Sequence, residues 1–226
     1  MVRTLFFLLL FSYSAFGQIS DFAEVDFKTA DKVAKAQRGA SLEELPQLVH
    51  ELTANLDTDV EQFRALYYWI CHNIRNDYNL LLKNERKLKK YANDSVLLND
   101  WKATFQKELF LKLRSKKRTI CTGYAYLLKE MAALAGLECE LINGYGQTKT
   151  IRFEDLTSPN HSWNAVKLNG KWYLCDPTWS SGLIDSSTYE FHFIFKEEYF
   201  LMAPNEFAEA HRPLDSKWTL LEGTTN

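Results

Sequence analysis

The sequence is poor in the residue pairs that hold metal ions. Its 226 residues include four cysteines and five histidines, and these form neither a Cys-x-x-Cys nor a His-x-x-x-His pair of the kind found in zinc sites. The sequence also has no Asp-x-Asp-x-Asp-Gly run of the kind that binds calcium. We therefore predict that the protein uses neither a metal ion nor another cofactor.

A hydrophobic run long enough to cross a membrane is also absent. The apolar run near the start, Leu5 to Phe11, is short against the roughly 20 residues that a spanning helix needs. It follows Arg3 and precedes small residues that end at Gly17, an order typical of a secretory signal. We interpret residues 1–17 as a signal peptide cleaved between Gly17 and Gln18, rather than as an N-terminal anchor. The mature chain is then expected to be secreted or periplasmic, without stable membrane insertion.

The chain has no large excess of either charge. It carries 27 lysines and arginines against 29 aspartates and glutamates, a net charge of −2. A surface that is not generally basic does not favour nucleic acid as a partner. Hydrophobic residues make up 46% of the chain and aromatic residues 14%, enough for the core of one globular domain of ordinary size.

Cysteine is scarce, but four cysteines in an exported protein are enough for two disulfides. Cys71 falls in a helical pattern, and Cys139 and Cys175 fall in strand patterns, where a free thiol behaves as a small buried apolar group. We therefore expect free thiols, with a Cys139–Cys175 bridge as the alternative.

A β-hairpin that contains one histidine and one aspartate is the strongest local pattern. Two β-rich runs flank Asn169-Gly170, a pair typical of a two-residue type I′ turn. Counting outward from this turn places Asp176 opposite Trp163 and diagonal to His161. Because side chains alternate between faces with period two, His161 and Asp176 are expected on one face, where a carboxylate can orient an imidazole.

A cysteine at the start of a buried helix supplies a candidate nucleophile. Cys121 precedes apolar residues that cover most of a helix's circumference, which is typical of a buried helix, and Gly136 is expected to end that helix. The helix macrodipole and the nearby cation of Arg118 favour the thiolate, the reactive form of cysteine. Taken singly, Cys121 and His161 are ordinary buried residues; together with Asp176 they form the arrangement that thiolate–imidazolium chemistry requires.

Three blocks resemble the transglutaminase-like superfamily, a branch of the papain-like cysteine enzymes. They are Cys-Thr-Gly-Tyr-Ala at 121–125, Asn-His-Ser-Trp-Asn at 160–164 and Asp-Pro-Thr-Trp at 176–179. The helical segment 63–78 is similar to the segment that precedes the cysteine in this family, with Asn76 where a tyrosine is usual. The tail from Tyr199 onward is similar to bacterial members of the kyphoscoliosis-peptidase type.

The resemblance implies an α+β fold with a papain-like core. In this fold a helical layer, with the catalytic cysteine at a helix N-terminus, packs on an antiparallel β-sheet. The resemblance also implies that Cys121 is the nucleophile, that His161 is the general base and acid, and that Asp176 orients the histidine.

The implied reaction is acyl transfer through a thioester, on amide bonds of a peptide or protein substrate, with cell-wall peptides among the candidates. Hydrolysis by a peptidase or amidase is the favoured outcome. The alternatives are transfer to an amine, as in a cross-linking transglutaminase, and a secreted module that binds peptides or cell-wall fragments without turnover. The sequence does not indicate an oligomeric state.

We divide the chain into a signal peptide (1–17), an N-terminal helical extension (18–57) and a catalytic domain (58–226). Thr58 and Glu61 form a capping-box pattern at the start of a helix with a strong apolar face. Before it, the extension is expected to add one outer helix.

Residues 83–117 are rich in lysine and arginine. They predict a solvated helical insertion within the catalytic domain. The alternative is a basic surface close to Cys121 that recruits an acidic substrate, partner or membrane.

The segment after the cysteine helix predicts a strand and a loop. Residues 137–143 alternate as in a strand, Gly144-Tyr145-Gly146 predicts a turn, and 147–159 predicts a loop over the cleft. Later in the chain, 191–195 predicts a strand and 199–207 a short helical segment.

The other histidines are interpreted as structural. His72 lies in a helical pattern with Trp69, and both are expected to pack in the core, although Trp69 is also a candidate for lining a cleft. His192 lies in a predicted strand. His211 precedes Pro213 in a predicted coil and is assigned to the surface or to packing.

Overall fold

The computed structural model describes residues 18–185 and 187–221, so the predicted signal peptide lies outside the described residues. The fold is α+β, as the sequence predicts: helices pack on a four-stranded antiparallel sheet. Within the described ranges, no helix combines the length and the apolar character that a membrane span requires. The helices are α1 (Lys28–Ala36), α2 (Leu45–Thr53), α3 (Asp59–Asn73), α4 (Tyr78–Lys90), α5 (Ser95–Lys116), α6 (Cys121–Leu134), α7 (Pro177–Ser181) and α8 (Pro204–Ala208).

The strands form three sheets in the described residues. They are β1 (Arg75–Asn76), β2 (Arg118–Thr119), β3 (Cys139–Gly146), β4 (His161–Leu168), β5 (Lys171–Cys175), β6 (Gly182–Ile184), β7 (Phe191–Phe193) and β8 (His211–Pro213). The main sheet has the order β5-β4-β3-β8, while β1 pairs with β2 and β6 with β7.

The central hairpin has the predicted register. Leu168 lies opposite Lys171, and the ladder runs on to the pair of Asn164 and Cys175. Asn169 and Gly170 have φ values of 49° and 80°, the positive values that a type I′ turn requires at both central positions. The two-residue turn therefore sets which side chains of β4 and β5 share a face.

The predicted turn at Gly144-Tyr145-Gly146 is wrong, because all three residues belong to β3. Gly144 pairs with both neighbouring strands. A Cβ atom on residue 144 would lie 2.2 Å from the carbonyl oxygen of Arg212 and 2.5 Å from the Trp163 ring. Glycine is required here for close packing within the sheet, not for turning the chain.

Helix α3 forms the centre of the helical layer. Its capping box is present: the Thr58 side chain accepts from the Glu61 N–H, and the Glu61 carboxylate accepts from the Thr58 N–H. Trp69 is fully buried and donates to the Gln37 carbonyl oxygen at 2.7 Å, so it is a packing residue that lines no cleft. His72 stacks on Tyr68 with ring centroids 3.7 Å apart, as expected of a packing histidine.

The N-terminal segment contributes two helices, α1 and α2, where the sequence predicts one. Apolar residues from both helices lie in the same buried cluster as α3 and α6, among them Ala34, Leu48 and Leu52. Arg64 of α3, itself buried, forms ion pairs with Asp31 of α1 and with Glu197 near the C-terminus. The segment is therefore part of the main core.

The basic segment forms a helical hairpin, α4 and α5, inserted between two short parallel strands. Arg75 lies opposite Arg118 and Asn76 opposite Thr119, so the chain leaves and re-enters the core at the same place. Several of its cations are paired, through Lys83–Glu108, Lys112–Asp77 and Arg114–Glu43. After the hairpin, strand β2 leads into α6.

The C-terminal tail closes the far edge of the main sheet. The 199–207 segment is helical only at its ends: a 3-10 turn covers Glu197–Tyr199, and α8 begins at Pro204. The predicted coil at His211 is wrong, because His211–Pro213 form β8 and pair with β3. This pairing buries the His211 side chain, which agrees with the packing alternative and not with a surface position.

All four cysteines are free. Cys71, Cys139 and Cys175 are buried, whereas Cys121 is partly exposed. Cys139 and Cys175 are not bridged, which agrees with the expectation of free thiols.

Candidate active site

Cys121 is the first residue of α6, at the helix's positive end. The residue before it, Ile120, is the N-cap and provides no side-chain capping hydrogen bond. The N–H groups of Gly123 and Tyr124 donate to the Ile120 carbonyl oxygen, at 2.8 and 3.2 Å. The N–H groups of Cys121 and Thr122, at the very start of α6, have no acceptor within the helix. A developing negative charge on Cys121 or on a bound carbonyl is stabilised at this end of the helix.

Close contacts hold the start of α6 against the strands. A Cβ atom on Gly123 would lie 1.8 Å from Thr119 Oγ1, so only glycine permits this approach. Asn164 of β4 is fully buried and donates from Nδ2 to the carbonyl oxygens of Ala125, at 2.9 Å, and of Glu140, at 3.2 Å. One side chain thus joins α6 to two strands.

Cys121 interacts with His161, the first residue of β4, and each of the two side chains shifts the pKa of the other. Burial disfavours the thiolate, but the hydrogen bond and charge of His161 and a backbone hydrogen bond from Ser162 outweigh it and lower the pKa of Cys121. Arg118, predicted to add a nearby cation, instead lies with its Nε 3.5 Å from the Asp77 carboxylate. The histidine therefore supplies the cation that the thiolate needs.

His161 and Asp176 meet as the hairpin register predicts. His161 Nε2 lies 2.6 Å from Asp176 Oδ2, and both side chains are buried. Burial disfavours a charged imidazole, but the carboxylate's charge and hydrogen bond and the contact with Cys121 outweigh it and raise the pKa of His161 to about 10. Since Nε2 faces Asp176, Nδ1 is the ring nitrogen that remains for the thiol.

The second carboxylate oxygen of Asp176 is held by the backbone. Asp176 is the N-cap of α7, and its Oδ1 accepts from the N–H groups of Thr178, at 2.8 Å, and Trp179, at 3.0 Å. A helix N-terminus favours a carboxylate. Burial disfavours ionisation of Asp176, but His161 and the other hydrogen-bond donors keep its pKa below the ordinary value.

His211 also belongs to this group, although the sequence assigns it to the surface or to packing. It is 2% exposed, and its Nε2 lies 3.0 Å from Asp176 Oδ2, the same oxygen that His161 contacts. The two residues are 35 positions apart, and no local pattern in the tail indicates this contact. Only the pairing of β8 with β3 brings His211 to the carboxylate.

Tyr67 is a second residue whose role sequence reasoning missed. Its helical spacing on α3 places it among the core residues, and it is fully buried. Its hydroxyl lies 3.0 Å from the Asp176 carbonyl oxygen, 3.1 Å from that of Tyr199 and 2.7 Å from Ser180 Oγ. Tyr67 thereby holds the backbone at Asp176 from the helical layer.

Aromatic rings enclose the imidazoles. Trp179 stacks on His161 with ring centroids 4.7 Å apart and lies 4.3 Å from His211. Phe207 stacks on His211 at 3.8 Å. These rings keep water away from the charged groups, which strengthens the electrostatic interactions among them.

His161, Asp176 and His211 place three ligand atoms within 4.8 Å of one another. The 2.6 Å separation between His161 Nε2 and Asp176 Oδ2 is shorter than the roughly 3 Å or more between two ligands that share a metal ion at bond lengths of about 2.0–2.2 Å. It is the length of a strong, charge-assisted hydrogen bond. The geometry is therefore that of a hydrogen-bonded network.

A partly exposed cysteine at a helix N-terminus, beside a strand histidine that is hydrogen-bonded to an aspartate, is the arrangement of the papain-like cysteine enzymes. The chain belongs to the transglutaminase-like superfamily, whose family model matches residues 46–177. That range includes Cys121, His161 and Asp176.

The chain is similar to several known proteins. It is 33% identical over 212 residues to the kyphoscoliosis peptidase of Homo sapiens, covering 90% of this chain and 27% of that protein. It is 26% identical over 216 residues to hillarin of Drosophila melanogaster, covering 88% and 23%. The chain thus spans about a quarter of the length of these curated relatives. A crystal structure described as that of a TGase aligns with a TM-score of 0.40 and 13% identity, over 80% of this chain and 41% of the other.

Proposed function

We propose that this protein is a cysteine enzyme that cleaves amide bonds of peptide or protein substrates through a thioester on Cys121. The observation on which the proposal rests is the placement of Cys121, at the start of α6, beside a histidine whose Nε2 lies 2.6 Å from Asp176 Oδ2. His161 and Asp176 are buried, whereas Cys121 is partly exposed. A lowered thiol pKa and a raised imidazole pKa are what a thiolate–imidazolium nucleophile requires.

The reaction begins with the proton of Cys121 on His161. The Cys121 sulfur attacks the amide carbonyl carbon, and the backbone N–H at the start of α6 donates to the oxyanion that forms. The carbon–nitrogen bond breaks as His161 gives its proton to the leaving amine, which leaves a thioester on Cys121. Asp176 stays ionised and keeps the imidazole oriented throughout.

The thioester is then released by water. His161 takes a proton from the water, the hydroxide attacks the thioester carbon, and the carbon–sulfur bond breaks. The products are a carboxylic acid and the restored thiolate–imidazolium pair. We favour water over an amine as the acceptor because two of the relatives, at 33% and 35% identity, are named as peptidases. Acyl transfer to an amine uses the same thioester and is the competing outcome.

We also propose that the enzyme is exported, with residues 1–17 as its signal peptide, and that it meets peptide or cell-wall substrates outside the cytoplasm. This part of the proposal rests on the order of a cation, an apolar run and small residues in that segment.

Alkylation of the protein by a brief iodoacetamide pulse between pH 5 and 8 tests the thiolate. Mass spectrometry then reports each cysteine separately. Cys71, Cys139 and Cys175 are internal controls, because burial raises the pKa of each thiol. We expect Cys121 to be labelled far ahead of them at pH 5 in the wild type, and to lose this lead in His161→Ala.

Incubation with a peptide library, with and without an excess of a primary amine, then distinguishes the outcomes. New carboxyl termini that require Cys121 support hydrolysis, whereas incorporation of the amine supports a transglutaminase. Peptide binding without either product, together with four cysteines that react alike, contradicts the catalytic proposal and supports a binding module.

A further inference from the structure

Asp176 Oδ2 has two imidazole neighbours, and only one of them contacts the nucleophile. His161 Nε2 lies at 2.6 Å and His211 Nε2 at 3.0 Å. With the two backbone N–H groups on Oδ1, the carboxylate of Asp176 has four hydrogen-bond partners in a fully buried position. Four donors occupy the main lone-pair positions of an ionised carboxylate.

The surroundings of His211 determine which of its two ring nitrogens carries the proton. Its Nδ1 lies 3.2 Å from the Phe207 carbonyl oxygen and its Nε2 3.0 Å from the Asp176 carboxylate, so both nitrogens face acceptors. Burial, together with the charge of His161, lowers the pKa of His211, and a neutral ring has only one N–H. The shorter contact is to the charged acceptor, which forms the stronger hydrogen bond. Nε2 is therefore the nitrogen that holds the proton.

We propose that His211 is a positioning residue that donates an Nε2–H hydrogen bond to Asp176 Oδ2, holding this oxygen on His161 and limiting how tightly the carboxylate retains the His161 proton. The inference rests on the proposed function, in which His161 must first hold a proton and then release it to the leaving amine. A carboxylate that lacks one donor is more basic and holds that proton more tightly. His211 thus adjusts the strength of the proton donor without touching the substrate.

The packing around His211 supports this role over that of a simple filler. The ring stacks on Phe207 at 3.8 Å and lies 4.3 Å from Trp179 and 5.0 Å from Trp163, and the backbone is held by the pairing of His211 with Gly146 in β3. A buried ring with three aromatic neighbours has little room to change its orientation. That orientation directs Nε2 at Asp176.

Nuclear magnetic resonance of the full mature chain labelled with ¹⁵N-histidine tests the inference. In the wild type, two-bond ¹H–¹⁵N correlations are expected to show His211 as the Nε2–H tautomer. In His211→Leu, the pKa of His161 is expected to rise by roughly half a unit to one unit, the size of one lost hydrogen bond. In His211→Gln, whose amide can donate from a similar position, it is expected to return toward the wild-type value. His192→Gln, a change at an exposed histidine, is the matched control.

Two results would overturn the inference. The first is a wild-type His211 in the Nδ1–H tautomer, which needs no variant to fold. The second is a His161 pKa that is unchanged or lowered in His211→Leu. A purely structural role for His211 predicts that both variants lose stability while the pKa of His161 does not rise. Failure of the proposed function has a different sign: in the wild-type protein, Cys121 would be alkylated no faster than Cys139. That measurement does not depend on the His211 tautomer or on the His161 pKa.

Discussion

Gly146 lies directly against the imidazole of His161: a Cβ atom on residue 146 would be 2.9 Å from the His161 Cβ and 3.1 Å from its Cδ2. Gly146 therefore provides the space in which the ring sits between Cys121 and Asp176. The same residue is the backbone partner of His211 across the sheet, so Gly146 is next to both histidines.

Gly146→Ala is expected to displace the His161 ring, because the added methyl group has no room in a packed site. The rate of Cys121 alkylation at pH 5 should fall roughly tenfold or more, since small displacements of reacting groups cost large factors in rate. Mass spectrometry after an iodoacetamide pulse measures it. Lys149→Ala, at an exposed position shortly after β3, is the control. An unchanged rate in Gly146→Ala would show that the ring does not depend on this contact.

Arg64→Leu is expected to lower the free energy of unfolding by about 2–3 kcal/mol, because it leaves Asp31 and Glu197 without their shared cation. Urea denaturation measures the loss. Lys28→Ala, at an exposed pair with Asp26, should leave the urea midpoint nearly unchanged, because exposed ion pairs contribute little to stability. Equal losses in the two variants would contradict a structural role for the buried arginine.

Stability in the Cys121→Ala background is expected to fall as the pH rises above 6.5. Burial opposes protonation of His161, but Asp176 outweighs it and raises the pKa above its ordinary value of 6.5. Both folded and unfolded states are protonated below the ordinary pKa, so the stabilisation is complete there. The stabilisation is lost as the pH rises through the folded-state pKa of His161. In that pH range the unfolded state has already released its proton while the folded state still holds it. Urea midpoints from pH 5 to 9 measure this slope.

Two further variants show whether the dependence of stability on pH arises from the pair of His161 and Asp176. His161→Gln in the Cys121→Ala background should remove it, and so should Asp176→Asn, which takes away the charge that raises the histidine pKa. A slope that persists in both variants would assign the pH dependence to other groups.

Export with cleavage after Gly17 predicts that the mature protein begins at Gln18. Expression of the full chain in a bacterium with an outer membrane, followed by intact-mass measurement of the periplasmic fraction, checks this. Arg3→Glu reverses the charge that precedes the apolar run and should leave more uncleaved chain in the cells. A full-length product in the wild type would contradict the signal-peptide interpretation.

Much of the site could be predicted because its parts are local in sequence. Asn169 and Gly170 form a turn through their own backbone preferences, and that turn sets the register that brings His161 to Asp176. The position of Cys121 before an apolar helix is likewise a matter of neighbouring residues. Short-range patterns of this kind need no knowledge of the rest of the fold.

The remaining features depended on contacts between distant residues. Gly144 and Gly146 suggested a turn, because glycine is common in turns, but close approach of Arg212 and His161 is what requires them. Arg118 precedes Cys121 by three positions, yet its guanidinium pairs with Asp77. The residues next to these glycines and to Arg118 in the sequence do not indicate which distant residues they contact.

The sequence by itself determined the hairpin register, the cysteine at the helix start and the face shared by His161 and Asp176. Turn geometry and side-chain periodicity act over a few residues, and together they allow only one strand register. Only the tertiary structure decided that His211 joins the carboxylate, because β8 reaches β3 from 65 or more positions further along the chain. Such pairings depend on the packing of the whole core, which no short segment encodes.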